Sequence, residues 1–244
     1  MIAVLIVMMA TPVFAQKMSM GFLTGVTTAS QDDVNTLIKR ADIRGGGITT
    51  RSLNRRPTFE FTGYWQYELE NSNLAFQIRP SYLFVDEDGS RINTAERYEY
   101  FVSGYTLFPI AKMYLYEKDR TRLFAQAGIG WGFVNLKIDE GAAGLEASAM
   151  QMGSQIGAGA EFCIFGENHC LTVEGSYRYL EFKRMEIDSV RSPISFNSES
   201  GGGTARGISN PTFDVGGEVE IDDRDLRTTF SGFIGLIGYT YYFE

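Results

Sequence analysis

From Pro57 to Glu70 the side chains alternate: Phe59, Phe61, Trp65, Tyr67 and Leu69 fall on one parity, Glu60, Thr62, Tyr64, Gln66 and Glu68 on the other. An extended strand sends successive residues to opposite faces, whereas a helix would scatter both sets around its circumference. A strand that is aromatic on one face and polar on the other separates two different media. Seven further stretches of this kind follow or precede it, with no sustained helical period between them.

The third stretch, Asn73 to Phe84, sets Leu74, Phe76, Ile78, Tyr82 and Phe84 against Gln77, Arg79 and Ser81. Pro80 lacks an amide hydrogen, so a bulge or a local loss of ladder bonding is expected there. The fifth, Leu123 to Val134, sets Leu123, Ala125, Ala127, Ile129, Trp131 and Phe133 against Gln126, Gly128, Gly130 and Gly132. The sixth sets Met150, Met152, Ile156, Ala158 and Phe162 against Gln151, Gln155 and Glu161. The seventh sets Leu171, Val173, Tyr177 and Tyr179 against Thr172, Glu174, Ser176 and Arg178, and the eighth aligns Phe233, Ile237, Tyr239, Tyr241 and Phe243. The first, Lys17 to Thr28, and the fourth, around Arg97 to Tyr116 with Pro109 inside it, are weaker.

Connections between these stretches alternate in length. Glu70 to Asn73, Glu117 to Thr121 and Gly166 to His169 are short polar turns, while 30–56, 86–95, 138–147 and 186–226 are longer. The expected fold is therefore all-β: an eight-stranded antiparallel transmembrane β-barrel with short periplasmic turns and long extracellular loops. A soluble ligand-binding barrel would point the apolar face inward; glycines and charges on the second face, with whole aromatic side chains on the first, put lipid outside. A mean hydropathy of -0.12 beside 14% aromatic residues and 27 glycines suits that arrangement, since half of every strand is polar. The net charge of -8 argues against a general nucleic-acid partner, and a single histidine rules out histidine-rich metal sites.

Residues 2–10 form a short apolar run, broken by Pro12 and followed by Val13-Phe14-Ala15, so residues 1–15 read as a signal peptide cleaved before Gln16, leaving 16–244 as the barrel. The alternative, an anchoring helix, would need a run of about 20 apolar residues. No Lys or Arg precedes Lys17, which departs from the usual positive start of an export signal.

The passages LFAQAGIGWGFVNL, GAGAEF followed by LTVEGSYRYL, and the terminal FIGLIGYTYYF resemble the small outer-membrane barrels of the OmpA, OmpX and Opa type. That resemblance covers Lys17 to Glu244 and implies residence in the bacterial outer membrane among its lipid and lipopolysaccharide. Tyr239, Tyr241 and Phe243 look like the aromatic C-terminal signal read by the barrel-assembly machinery, although Glu244 follows where the family ends on the aromatic.

Cys163 and Cys170 flank a turn and share the inward parity of the sixth and seventh strands, so they are expected to form a disulfide, the alternative being two packed thiols. His169 falls at the same end, away from the long loops, and with no second histidine it assembles no nucleophile-base-orienter set. No catalytic, cofactor-binding or metal residues are assigned, and no enzyme is expected. The inward charges are Glu60, Glu68, Arg79, Arg97, Glu99, Glu161, Glu174 and Arg178; an interior this narrow is filled by side chains, so Glu60, Arg79, Arg97, Glu174 and Arg178 form a lumen charge network, or alternatively a gated ion path. The first loop carries Lys39, Arg40, Arg44, Arg51, Arg55 and Arg56, and the fourth ends in the acids Glu218, Glu220, Asp222, Asp223 and Asp225. These two loops dock on each other, or the basic one meets lipopolysaccharide phosphates, or they bind a protein partner at the cell surface. The sequence thus supports a structural or surface-interaction barrel first, a small channel or transporter for ions or apolar solutes second, and a lipid-modifying enzyme third.

Overall fold

The computed structural model describes residues 17–44, 57–90, 97–140, 143–164, 166, 168–191, 215–221 and 224–243, with the backbone alone at 39–44, 87–90, 97–98, 140, 143, 220–221 and 224. The expected export segment lies outside the described residues.

Eight long strands run antiparallel: β1 (Met18–Thr27), β2 (Thr58–Glu68), β3 (Leu74–Ser90), β4 (Arg97–Lys118), β5 (Thr121–Glu140), β6 (Ala143–Phe162), β7 (His169–Tyr179) and β13 (Gly232–Phe243). Each pairs with its neighbour in sequence, β1 pairs with β13, and the pairing of β13 with β7 closes the ring. Every one of the eight long strands thus has a partner on both sides, the closure a sheet needs to cross a bilayer, and the ladder is interrupted beside β6 between Ser148 and Ser154. The parity read from the sequence is the one the fold uses. Phe59, Phe61 and Trp65 of β2 are 45%, 40% and 47% exposed on the outside, while Glu60, Thr62 and Gln66 between them are at most 1% exposed. Aromatic rings pack side by side across that outer face, Phe22 on Phe61 at 6.4 Å and Tyr82 on Tyr105 at 4.9 Å between centroids.

Pro80 interrupts the ladder without shifting it. The β2–β3 pairs resume in the same register on either side of Gly63 and Tyr64, so the cost is lost pairing and no bulge. Pro109 does the same between β4 and β5, where the only register shift sits further along, between Tyr114 and Tyr116.

Two expectations about the loops need correcting. Residues 138–147 do not form a long loop: β5 and β6 stay paired out to Glu140 and Ala143. Likewise β3 and β4 remain paired to Ser90 and Arg97, so most of 86–90 is strand. The alternation there continues, but with apolar residues on the inner face and charges outside, and a reading tuned to a lipid-facing apolar side ends those strands too early. The first loop also contains a helix, α1 (Asp32–Arg44), with Asp32 and Asp33 in its first turn, where acids favour the helix dipole. Val34, Leu37 and Ile38 make its apolar stripe at i, i+3 and i+4.

The barrel is therefore lopsided. β1, β2, β7 and β13 have 10, 11, 11 and 12 residues, close to the ~9–11 that span a bilayer, whereas β3 to β6 have 17, 22, 20 and 20. The four long strands rise as a wall beyond the membrane. Against its concave face pack α1 and the paired short strands β8 (Glu181–Phe182) and β12 (Thr228–Thr229), while β9 (Glu186–Val190) pairs with the end of β6 and β10 (Glu220–Ile221) pairs with β11 (Arg224–Asp225).

Inward glycines accept the side chains that cross the interior. A Cβ on Gly132 would sit 2.5 Å from Leu180 Cδ2, and one on Gly21 would sit 2.3 Å from the Tyr64 ring, whereas one on the outward Gly175 would meet nothing within 4 Å. Gly132→Val should accordingly lower unfolding stability by about 1–3 kcal/mol, and Gly175→Val should leave it within experimental error. Denaturant titration of the folded and unfolded gel bands checks both; equal effects of the two changes would contradict the inward packing.

Candidate functional site: a filled lumen under a capped end

The interior has two storeys of opposite chemistry. Within the membrane-spanning part, buried charges pair across the lumen with strands that are not their neighbours. Nearest the short turns, Arg122 of β5 grips Glu68 of β2 through two hydrogen bonds of 2.9 Å each, and Lys112 of β4 bonds Glu161 of β6. Tyr114 donates to Glu68 at 2.8 Å, Tyr242 donates to Glu161 at 2.6 Å, and Gln77 donates to Gln66 at 2.6 Å. Cation faces also lie over rings, with Arg122 3.7 Å from the centre of Tyr114 and Lys112 3.9 Å from that of Phe124. One level up, Arg79 of β3 holds both oxygens of Glu174 of β7, at 2.6 and 2.7 Å. Above that, Arg178 of β7 holds both oxygens of Glu60 of β2, at 3.0 and 3.1 Å. Thr27 adds a third bond to Glu60 at 2.8 Å, and the Arg178 Nε donates to the carbonyl of Phe230 at 3.0 Å.

Forked guanidinium-carboxylate contacts of this kind neutralise both charges at once, which a buried charge requires. Of the five residues assigned to a lumen network, the structure brings Glu60 to Arg178 and Arg79 to Glu174, as two separate pairs. Arg97 opens β4 with its side chain outside the described residues, and Glu99 is a correction: it lies on the outer side, 47% exposed, paired with Lys137 at 3.2 Å. Tyr100 takes the inward position instead and is fully buried. Sequence reasoning missed Lys112 and Arg122. Both have the inward parity of their strands, but apolar Phe108, Ile110 and Phe124 share that face, which hid the polar pattern.

The upper storey is apolar. Leu180, Phe182 and Phe230 enter the lumen above Arg178, each fully buried, and join Val34 and Leu37 of α1 and Leu83, Val102, Val134 and Leu136 of the wall in one core. Phe182 and Phe230 meet edge to face at 5.9 Å. Polar clamps fasten this cap. Gln31 donates to the Thr229 carbonyl at 2.6 Å, and the Asp33 carboxylate accepts the Arg227 amide at 2.9 Å. A stacked polar network thus lies beneath an apolar core.

Of the basic residues assigned to the first loop, Lys39, Arg40 and Arg44 lie on α1 with only their backbone described, and Arg51, Arg55 and Arg56 fall outside the described residues. Of the acids, Glu218 and Asp225 are described, and Asp225 pairs with Arg184 at 3.5 Å. Cys163 and Cys170 form a disulfide at the short-turn end, packed beside Tyr242. His169 sits at that end too, bonded to the Tyr239 hydroxyl. No helix among the described residues is long and apolar enough to cross a membrane, and no group of three or more His, Cys, Asp or Glu among them could hold a metal ion.

A closed ring of eight strands, greasy outside and ion-paired inside, admits one reading of the fold. The chain is an eight-stranded membrane-spanning β-barrel. Its architecture is that of the small outer-membrane barrels which its sequence resembles. No protein-family model matches the chain, and no curated protein gives a significant match. Solved structures that align with it include the attachment invasion locus protein of Yersinia pestis, in complex with the heparin analogue sucrose octasulfate. That protein is 11% identical over 93% of this chain and 97% of its own, with a TM-score of 0.39. Neisserial surface protein A aligns over the same shares at 11% identity and a TM-score of 0.38.

The pairing makes a sharp prediction. Arg178→Met leaves the Glu60 carboxylate buried with Thr27 but without its cation, which should cost about 3–5 kcal/mol. Adding Glu60→Leu should recover most of that loss, because the pair then vanishes together. Unfolding titrations of the two singles and the double measure it, and a double variant as unstable as the sum of the singles would contradict the pairing.

Proposed function

We propose that this protein is an integral barrel of the bacterial outer membrane whose role is structural or surface-directed, exercised through the end that carries the long connections. The observation that supports this best is the wall of β3 to β6, capped by α1 and by the β8–β12 ribbon on a shared apolar core that includes Leu180, Phe182, Leu226 and Phe230. Extramembrane connections that serve only to join strands need no core of their own. A built, fastened platform beyond the membrane suits the display of a recognition surface. The basic residues Lys39, Arg40, Arg44, Arg51, Arg55 and Arg56 are the proposed contacts for lipopolysaccharide phosphates or an acidic protein surface. In this reading residues 1–15 serve as the cleaved export leader, and the aromatics Tyr239, Tyr241 and Phe243 as the signal for insertion by the barrel-assembly machinery.

The competing role, a channel or transporter, draws less support. Leu180, Phe182 and Phe230 fill the lumen where a path to the loop end would pass. No arrangement of groups in the described interior favours an enzyme.

Orientation is the testable core of the proposal. Ser189, exposed on β9, and Ser72, exposed in a short turn, mark opposite ends of the barrel. With a membrane-impermeant maleimide, intact cells should label Ser189→Cys and not Ser72→Cys; permeabilising the outer membrane should expose Ser72→Cys. The reverse pattern would overturn the reading. Pure protein in a planar bilayer should give no steady conductance, and well-defined currents would revive the channel.

A further inference from the structure

The ring of strands is not evenly sealed. β6 pairs with β7 from Phe162 up to Ser154, opposite Tyr179, and pairs again with β9 from Ser148, opposite Glu186. Between them, Ala149 to Gly153 have no ladder partner on that side. The cause lies in β7 and β13, which leave the wall together. Their register continues unbroken into β8 and β12, with Thr229 opposite Glu181, but the ribbon bends into the lumen. Ser231 Oγ accepts the Leu180 amide at 2.8 Å, the donor that β6 would otherwise use. Gly232, at a φ of 154°, makes the bend beside Thr28, whose carbonyl a Cβ would approach to 2.8 Å. Gln151 has the inward parity of β6 yet is exposed, a correction to its expected place in the lumen, because the wall is open beside it.

On the outer surface the upper end of this break carries a cleft of about 620 Å³. Two cross-strand rows line it. Tyr105, Phe133 and Met150 form an apolar row, with Phe133 46% and Met150 59% exposed among the lipid-facing residues. Directly beyond, on the loop side, Asn135, Ser148 and Glu186 form a polar row. Among the described residues the Glu186 carboxylate has no ion-pair or hydrogen-bond partner. Unpaired backbone groups facing hydrocarbon are costly and demand a polar partner. An apolar floor beneath a polar step, with a free carboxylate and unpaired amides, matches the junction between the acyl chain and headgroup of one lipid.

We infer that this break is a specific site for a bilayer lipid carrying a primary ammonium in its headgroup, seated from the membrane side. The ammonium donates to Glu186, the headgroup's oxygens accept from Asn135, Ser148 and the free amides of β6, and one acyl chain lies along Phe133 and Met150. The inference rests on the membrane-spanning reading above.

The protein's two tryptophans make the test direct. Trp131 lies on β5 one step below the cleft, opposite Met152, and Trp65 lies on β2, with β3 and β4 between its strand and β5. Trp65→Phe and Trp131→Phe each leave one reporter. Both variants are reconstituted in choline-lipid vesicles and titrated with brominated-chain phospholipid bearing either an ethanolamine or a glycerol headgroup. Trp131 should reach half-quenching at about a tenfold lower fraction of the ethanolamine lipid than of the glycerol lipid, the scale of one charge-assisted hydrogen bond. Trp65 should not distinguish them, and Glu186→Gln should erase the preference at Trp131 while the folded gel band persists. Equal headgroup response at both tryptophans, or a preference that survives Glu186→Gln, overturns the site. Failure of Trp65 to be quenched at all would instead overturn the membrane-spanning reading.

Discussion

Glu60, Glu68, Glu161 and Glu174 project into the narrow interior, and each is held by a cation from a strand that is not its neighbour. The rest of the structure depends on that requirement. Eight strands make a lumen only wide enough for side chains to fill it, so a carboxylate inside must find a guanidinium or ammonium there, and the strands must stand where the two can meet. The ion pairs tie β2 to β7, β3 to β7, β4 to β6 and β2 to β5, fixing strands that share no backbone hydrogen bonds. Leaving any one partner alone is far worse than replacing both, so the pairs act as a register lock more than as a source of net stability.

The same requirement explains why chemistry changes with height. Within the membrane the outside is apolar, so polar side chains are confined to the lumen. Above it the outside meets water, and the inner face of β3 to β6 turns apolar: Leu83, Val102, Val134 and Leu136 are at most 1% exposed. An apolar concave wall must itself be covered, and α1 with the inward ribbon of β8 and β12 covers it. That ribbon can reach the core only by leaving β6, so the seal at the loop end and the gap beside Ala149 to Gly153 are two results of one bend.

Much of this was legible in the residues and part was not. The lipid-facing parity, the strand count, the short turns and the closeness of the two cysteines follow from a period of two and from turn composition. The upper halves of β3 to β6 were hidden because the same alternation reverses its meaning once lipid gives way to water. Glu99 was misplaced for that reason, since a charge was read as inward where the outside is already aqueous. Helix α1 had a visible signal in Val34, Leu37 and Ile38 behind two aspartates, outweighed by the basic residues after it. Partners within the lumen could not be chosen from one strand's pattern: Glu60 and Glu174 fit Arg79 equally well by parity, and only the height of each residue in the ring selects Glu174.

The measurement closest to the centre of this account is a nitroxide scan along β2 in lipid bilayers, comparing collisions with oxygen, which concentrates in hydrocarbon, and with a water-soluble nickel complex. Positions 59, 61, 63 and 65 should be open to oxygen, and 60, 62, 64 and 66 closed to both reagents. A pattern of the opposite phase, with the even positions open to oxygen, would mean that the charges face outward and the aromatics inward, and would contradict the account.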